Sequence, residues 1–230
     1  EQVFESYRLP MQKLVVSRWL QQLITTCGEK AVWIPNGFDF SYFQLTTPPA
    51  QRNKYTLVCM YHQDARKDLP TAFKAMVKVK EKYPQLHITM FGAYPPPALP
   101  AGYTYYQRPN KALFNAIYNE AAIYVAASKI EGWGLTIGEA MQCGCAVACT
   151  DNKGYLEMAH HETTALVSAV GDAEALAQNI IRLIEDDALR ERIARTGNTF
   201  IQGMDINQSY HQMKEELTRE TPVEAQETAH

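Results

Sequence analysis

From residue 55 onward the chain alternates short apolar runs with stretches of helical periodicity, and few folds accept that pattern. A short run that is apolar on successive residues reads as a strand covered on both faces. Strands joined through amphipathic helices lie parallel, because a parallel connection needs a crossover. Tyr55 to Met60, His87 to Phe91, Ile123 to Ala127 and Ala146 to Cys149 read as such strands. Between and after them, Leu69, Ala72, Phe73, Met76 and Val77 follow the i, i+3, i+4, i+7, i+8 rule, and Pro70 fits a first helical turn. Leu113 to Ala121 and Thr136 to Cys143 read as helices, with Gly144 suited to the left-handed position after the second. Ala173, Leu176, Ala177, Ile180, Leu183 and Ile184 line one face of a helix capped by Asp172. Further helices fit residues 187–196 and 208–217. The expected fold class is α/β, a Rossmann-like doubly wound parallel sheet. Such sheets bind ligands at the carboxyl ends of their strands, where the strand order reverses.

The earlier residues form a separate piece. Leu14-Val15-Val16 and Ala31 to Ile34 read as strands around a helix from Arg18 to Cys27, with Ser17 as its cap. Residues 46–54, with little apolar content beyond Thr46-Thr47-Pro48-Pro49, read as a linker. The domain that follows is expected to span residues 55–203, with a further helix at 204–219 and a polar, disordered tail at 220–230. Charge sets limits on partners. A formal net charge of −3 with interspersed signs gives no basic face for a nucleic acid. No apolar run approaches the ~20 residues of a membrane span. Five cysteines in apolar settings read as reduced thiols, so the expected location is cytoplasmic or peripheral at the membrane surface.

The chemistry concentrates in Ser128-Lys129-Ile130-Glu131-Gly132-Trp133-Gly134-Leu135-Thr136-Ile137-Gly138-Glu139-Ala140-Met141, which follows a strand and opens a helix. Gly132 and Gly134 allow a sharp turn and close approach to a ligand. The N–H groups at a helix start suit a phosphate. Glu131 is expected in the loop and Glu139 in the first helical turn. Two readings of Glu139 stand open here: a ligand contact, or the second half of a capping box begun by Thr136. Two other patterns read as decoys. Cys143, Cys145 and Cys149 read as core thiols rather than metal ligands, and His160-His161 as a helix-end pair.

This stretch resembles the hallmark of the retaining family 4 glycosyltransferases: Glu, seven residues, Glu, with Gly-aromatic-Gly-Leu between and Glu-Ala-Met following. Cys143-Gly144-Cys145-Ala146-Val147, Thr150-Asp151 with Gly154 and Glu157, and Thr163 to Asp172 are similar to the continuation of that family. Val16-Ser17, Trp19 and Ile34-Pro35-Asn36-Gly37-Phe38-Asp39 resemble the end of its N-terminal domain. The resemblance covers roughly residues 13 to 200. It implies the C-terminal half of the GT-B fold, with residues 1–45 a remnant of the acceptor-binding N-terminal domain.

The resemblance also implies roles. Glu131 lies beside the donor sugar, Glu139 holds the nucleotide ribose, and the backbone of Gly134, Leu135 and Thr136 cradles the distal phosphate. After the strand ending at Met60, Lys67 matches the family's phosphate lysine. Tyr61-His62 stands where Gly-Arg is usual and Asp68 where glycine is usual, so Arg66 or His62 would supply the second diphosphate contact. The implied reaction moves a sugar from a nucleotide-diphosphate donor to an acceptor hydroxyl with retention, in glycan or cell-surface polysaccharide synthesis. No cofactor or metal is expected beyond the donor itself, since no Asp-x-Asp ligand pair is evident. The alternative is a nucleotide-sugar-binding module without transferase activity of its own.

Overall fold

The computed structural model describes residues 2–219; the stretch 220–230, expected to be disordered, lies outside the described residues. The chain opens with α1 (Gln2–Ser6), β1 (Leu14–Val15), α2 (Arg18–Thr26) and β2 (Val32–Trp33). β1 and β2 pair in parallel as a small separate sheet. The larger unit follows as β3 (Thr56–Met60), α3 (Leu69–Lys82), β4 (His87–Gly92), β5 (Tyr103–Gln107), α4 (Lys111–Glu120), β6 (Ile123–Ala126), α5 (Leu135–Gln142), β7 (Ala146–Thr150), β8 (Ala165–Ser168), α6 (Ala173–Glu185) and α7 (Asp187–Ile201). A last helix, α8 (Ile206–Thr218), completes the described chain.

The six strands of the larger unit pair in parallel, in the order β5-β4-β3-β6-β7-β8. The chain starts in the middle, builds one half outward to β5, then returns to β6 and builds the other half. The order therefore reverses between β3 and β6.

Alternation along the strands builds two cores. Leu57, Cys59, Ile88, Met90, Ile123 and Val125 face α3 and α6. Their neighbours Val58, Phe91, Tyr124 and Ala126 face α4 and α5. Covering both faces is what makes the strands read as continuous apolar runs. Full burial of a side chain such as Leu57 or Met76 contributes about 1.5–3 kcal/mol.

The fold class is the expected one, and the differences fall at edges. Within the larger unit, the four strands read from sequence are β3, β4, β6 and β7. The two outermost, β5 and β8, were not among them. β5 is partly exposed along its length, and its Tyr-Thr-Tyr-Tyr-Gln composition lacks the apolar run of a central strand. α4 starts at Lys111, two residues earlier than expected, because the Asn110 side chain caps it by accepting from the Leu113 N–H. Ser17 does precede α2, but its hydroxyl makes no cap and is buried without a partner.

The stretch read as a linker is pinned to the domain. The buried Arg52 guanidinium donates to the carbonyls of Tyr118, Ala121 and Cys143, tying the ends of α4 and α5 together. His160 and His161 lie between the 3-10 turn Tyr155–Glu157 and β8, not on a helix. The cysteines are free thiols; burial pushes that of Cys145 up to about 11. No helix among the described residues is long and apolar enough to cross a membrane.

Candidate functional site

The two loops at the strand reversal form the site. After β3, the Tyr61 N–H still donates to Phe91 O at 2.7 Å, and the chain then turns through a 3-10 segment, Ala65–Lys67. Asp64 caps that segment by accepting from the Arg66 N–H. Asp68 follows in the left-handed conformation, φ 45° and ψ 46°. This is the position where the resemblance places glycine, and its backbone explains why. Here the aspartate side chain accepts from the Thr71 hydroxyl at 2.8 Å, a local bond that offsets part of the strain. The Lys129 N–H donates to Arg66 O at 2.7 Å and stitches this loop to the one after β6.

Between the stitched loops, the Lys67 ammonium donates to Glu131 Oε1 at 2.5 Å. The pair is largely withdrawn from water, with side-chain exposures of 27% and 15%. The same Oε1 accepts from the Ser128 hydroxyl at 2.8 Å. The Ser128 carbonyl is in turn held by Thr150 Oγ1 and Asn152 Nδ2. Gly134 then turns into α5 with φ +107°. A Cβ there would lie 2.6 Å from Tyr155 Cδ1, so the position demands glycine twice over. The first intrahelical bond of α5 is that of the Ile137 N–H to Gly134 O. The N–H groups of Leu135 and Thr136 thus precede the ladder at the positive end of the helix, in the same loop-to-helix segment as Glu131.

Glu139 departs from the expected position. α5 begins at Leu135 with Gly134 at its cap, so Glu139 is the fifth helical residue and lies in the second turn. The capping-box reading fails with it, because Thr136 is already inside the helix and no side chain caps this end. The carboxylate instead accepts from the Tyr118 hydroxyl at 3.1 Å. Burial pushes its pKa up to about 7, with the Tyr118 bond pulling weakly the other way. It lines a cleft of about 250 Å³ with Phe38, Asp39, Tyr42, Phe114 and Leu135.

The structure therefore joins Lys67 to Glu131 by an ion pair and links Glu131 to the turn into α5 through Ser128 and Tyr155, whose ring lies against Gly134. Leu135 and Thr136 open α5, and Glu139 lies one turn along it. Arg66 and His62 are oriented by Asp64 instead. The exposed Arg66 side chain donates to both Asp64 oxygens, and the Asp64 N–H donates to His62 Nδ1 at 3.0 Å. The sequence reading missed Ser128, Tyr118 and Tyr155 as neighbours of the two glutamates. The Ser128 contact is local, three residues from Glu131, but those of Tyr118 and Tyr155 arise from tertiary packing between residues 21 and 27 apart.

Chemically, a cation on one loop and a helix start after the other suit a phosphate; a half-buried carboxylate beside the cation suits hydroxyl groups.

Residues 46–200 match the family described as Glycosyl transferases group 1. The chain is 25% identical over 228 residues to a phosphatidyl-myo-inositol mannosyltransferase of Mycobacterium tuberculosis, the match covering 88% of this chain and 59% of that protein. A stretch of 72 residues is 42% identical to the lipopolysaccharide core biosynthesis mannosyltransferase LpcC of Rhizobium leguminosarum bv. viciae, 31% of this chain and 20% of that protein. Among solved structures, Anabaena HepE in complex with UDP-glucose is similar with a TM-score of 0.78 at 18% identity, over 92% of this chain and 65% of that one. This last likeness is one of fold. The chain spans 59% of the length of the mycobacterial relative.

Proposed function

The chain belongs to the group 1 glycosyl transferases, and from that premise we propose that it binds a nucleotide-diphosphate sugar and serves a retaining transfer of that sugar to an acceptor hydroxyl. The observation that carries the reading is the Lys67–Glu131 ion pair between the two loops at the strand reversal, the second of which leads into α5. The distal phosphate sits on the N–H groups of Leu135 and Thr136, next to the Lys67 ammonium. The Glu139 carboxylate holds the ribose, and Glu131 orients the sugar. Relatives named as mannosyltransferases of a phosphatidylinositol and of a lipopolysaccharide core support glycan or cell-surface polysaccharide synthesis as the setting.

In the reaction, the bond from the sugar's anomeric carbon to the diphosphate oxygen breaks as the acceptor oxygen bonds to the same face. The acceptor proton passes to a phosphate oxygen of the donor, so no strong protein base is needed. Lys67 offsets the negative charge gathering on the leaving diphosphate, and a fixed cation favours that state over the ground state. Glu131, fixed by Ser128, faces the positive charge that develops at the sugar ring. No protein-bound metal enters this scheme.

The test is a transfer assay on the 230-residue chain and on the full reading frame that encodes it, with the product anomer read from NMR coupling constants. Retained configuration without added metal supports the proposal. An inverted product removes the retaining reading. Donor binding without transfer in either protein favours a binding module instead.

A further inference from the structure

We propose that Tyr155 is a positioning residue of the donor-sugar site, its hydroxyl fixing the Glu131 carboxylate through Ser128. The inference rests on the reading of Glu131 as the sugar contact. Tyr155 opens the 3-10 turn Tyr155–Glu157 and is 2% exposed. Its N–H donates to Asn152 Oδ1 at 3.0 Å, which anchors its backbone. Its hydroxyl donates to Ser128 Oγ at 2.8 Å, and Ser128 Oγ donates to Glu131 Oε1 at 2.8 Å. A serine hydroxyl has one proton, so accepting from Tyr155 leaves that proton aimed at Glu131. Both bonds to the carboxylate, from Ser128 and from Lys67, fall on Oε1. That arrangement sets the rotation of the carboxylate and presents Oε2 to the donor's hydroxyl groups.

The ring of the same tyrosine packs against Gly134, the turn into α5. One side chain thus touches the phosphate turn with its ring and the sugar carboxylate with its hydroxyl. The two contacts can be separated. Tyr155→Phe removes the hydroxyl and keeps the ring; Tyr155→Leu removes both. A tyrosine that merely satisfies its own buried hydroxyl would leave ligand selectivity untouched when that hydroxyl is deleted.

The experiment is calorimetry on the 230-residue chain with two probe pairs, UDP-glucose against UDP and GDP-mannose against GDP, alongside thermal melting. In Tyr155→Phe, affinity for the sugar nucleotide falls about three- to tenfold, the worth of one positioned hydrogen bond. Affinity for the free nucleotide stays at the wild-type value, and the melting temperature falls by no more than a few degrees, the worth of one buried hydrogen bond. Tyr155→Leu lowers both affinities. Wild-type discrimination in Tyr155→Phe overturns the proposal, as does an equal loss for both ligands accompanied by a lower melting temperature. Glu131→Gln separates the two levels. If it leaves discrimination intact, the reading of Glu131 fails. If it lowers discrimination and Tyr155→Phe does not, only the positioning role fails. No binding to either probe pair, nor to ADP-glucose or ADP, overturns both.

Discussion

Lys67 and Glu131, 64 residues apart in the chain, form an ion pair of 2.5 Å between the loops that leave β3 and β6. Parallel pairing of β3 with β6, Cys59 opposite Val125, brings those loops side by side. The cation proposed to meet the diphosphate is held by the carboxylate proposed to meet the sugar.

That pairing separates two variants. Lys67→Ala is expected to weaken nucleoside diphosphate binding by roughly ten- to a hundredfold, the range for a hydrogen bond to a charged group. Glu131→Gln is expected to leave that affinity unchanged or raise it a few-fold, because Lys67 no longer has a competing anion. The proposed transfer is expected to fall in both. Calorimetry with free nucleotides and a turnover assay read the two effects separately.

Glu139→Gln is expected to lower nucleotide affinity by a similar factor while leaving the melting temperature within a few degrees. Its carboxylate caps nothing in the structure; it accepts from Tyr118 beside a cleft. A drop in melting temperature with unchanged affinity would restore a purely structural role.

The raised pKa of Glu139, about 7 against an ordinary 4.5, gives a pH signature. Below about 4.5 the group is protonated whether the chain is folded or not. Between about 4.5 and 7 the folded chain keeps a proton that the unfolded chain has released. Stability from this group is therefore present at low pH and lost as pH rises through about 7. A ribose hydroxyl that donates to the carboxylate favours its ionised form, so affinity for a nucleotide sugar rises from pH 5.5 to 7.5 and then levels off. Glu139→Gln flattens that rise. Calorimetry across this range, with melting of the unliganded chain alongside, measures both.

Gly134→Ala is expected to destabilise the fold by about 2–4 kcal/mol, combining a left-handed backbone with overpacking against Tyr155. It displaces the start of α5, and nucleotide binding falls with it. Denaturant unfolding and calorimetry read the two losses.

The sequence showed the central strands and the loops of the site because both are local patterns. A strand covered on both faces must be apolar on successive residues, and a tight strand–helix turn must carry glycine. The edge strands β5 and β8 carry weaker patterns, since an edge position relaxes the demand. The capping-box reading of Thr136 and Glu139 stayed open in the sequence because the motif is local while helix starts are set by backbone conformation; the cap lies at Gly134, two residues before Thr136. Tyr155 was invisible as a partner of Ser128, since that contact depends on how β6 and the segment after β7 pack in three dimensions.

The most direct measurement is calorimetric titration of the folded 230-residue chain with uridine, guanosine and adenosine diphosphates and their sugars. One base class is expected to bind, with the affinity lost in Lys67→Ala and in Glu139→Gln. A folded chain that binds none of them, or that binds equally well after both substitutions, would contradict the donor site described at the strand reversal.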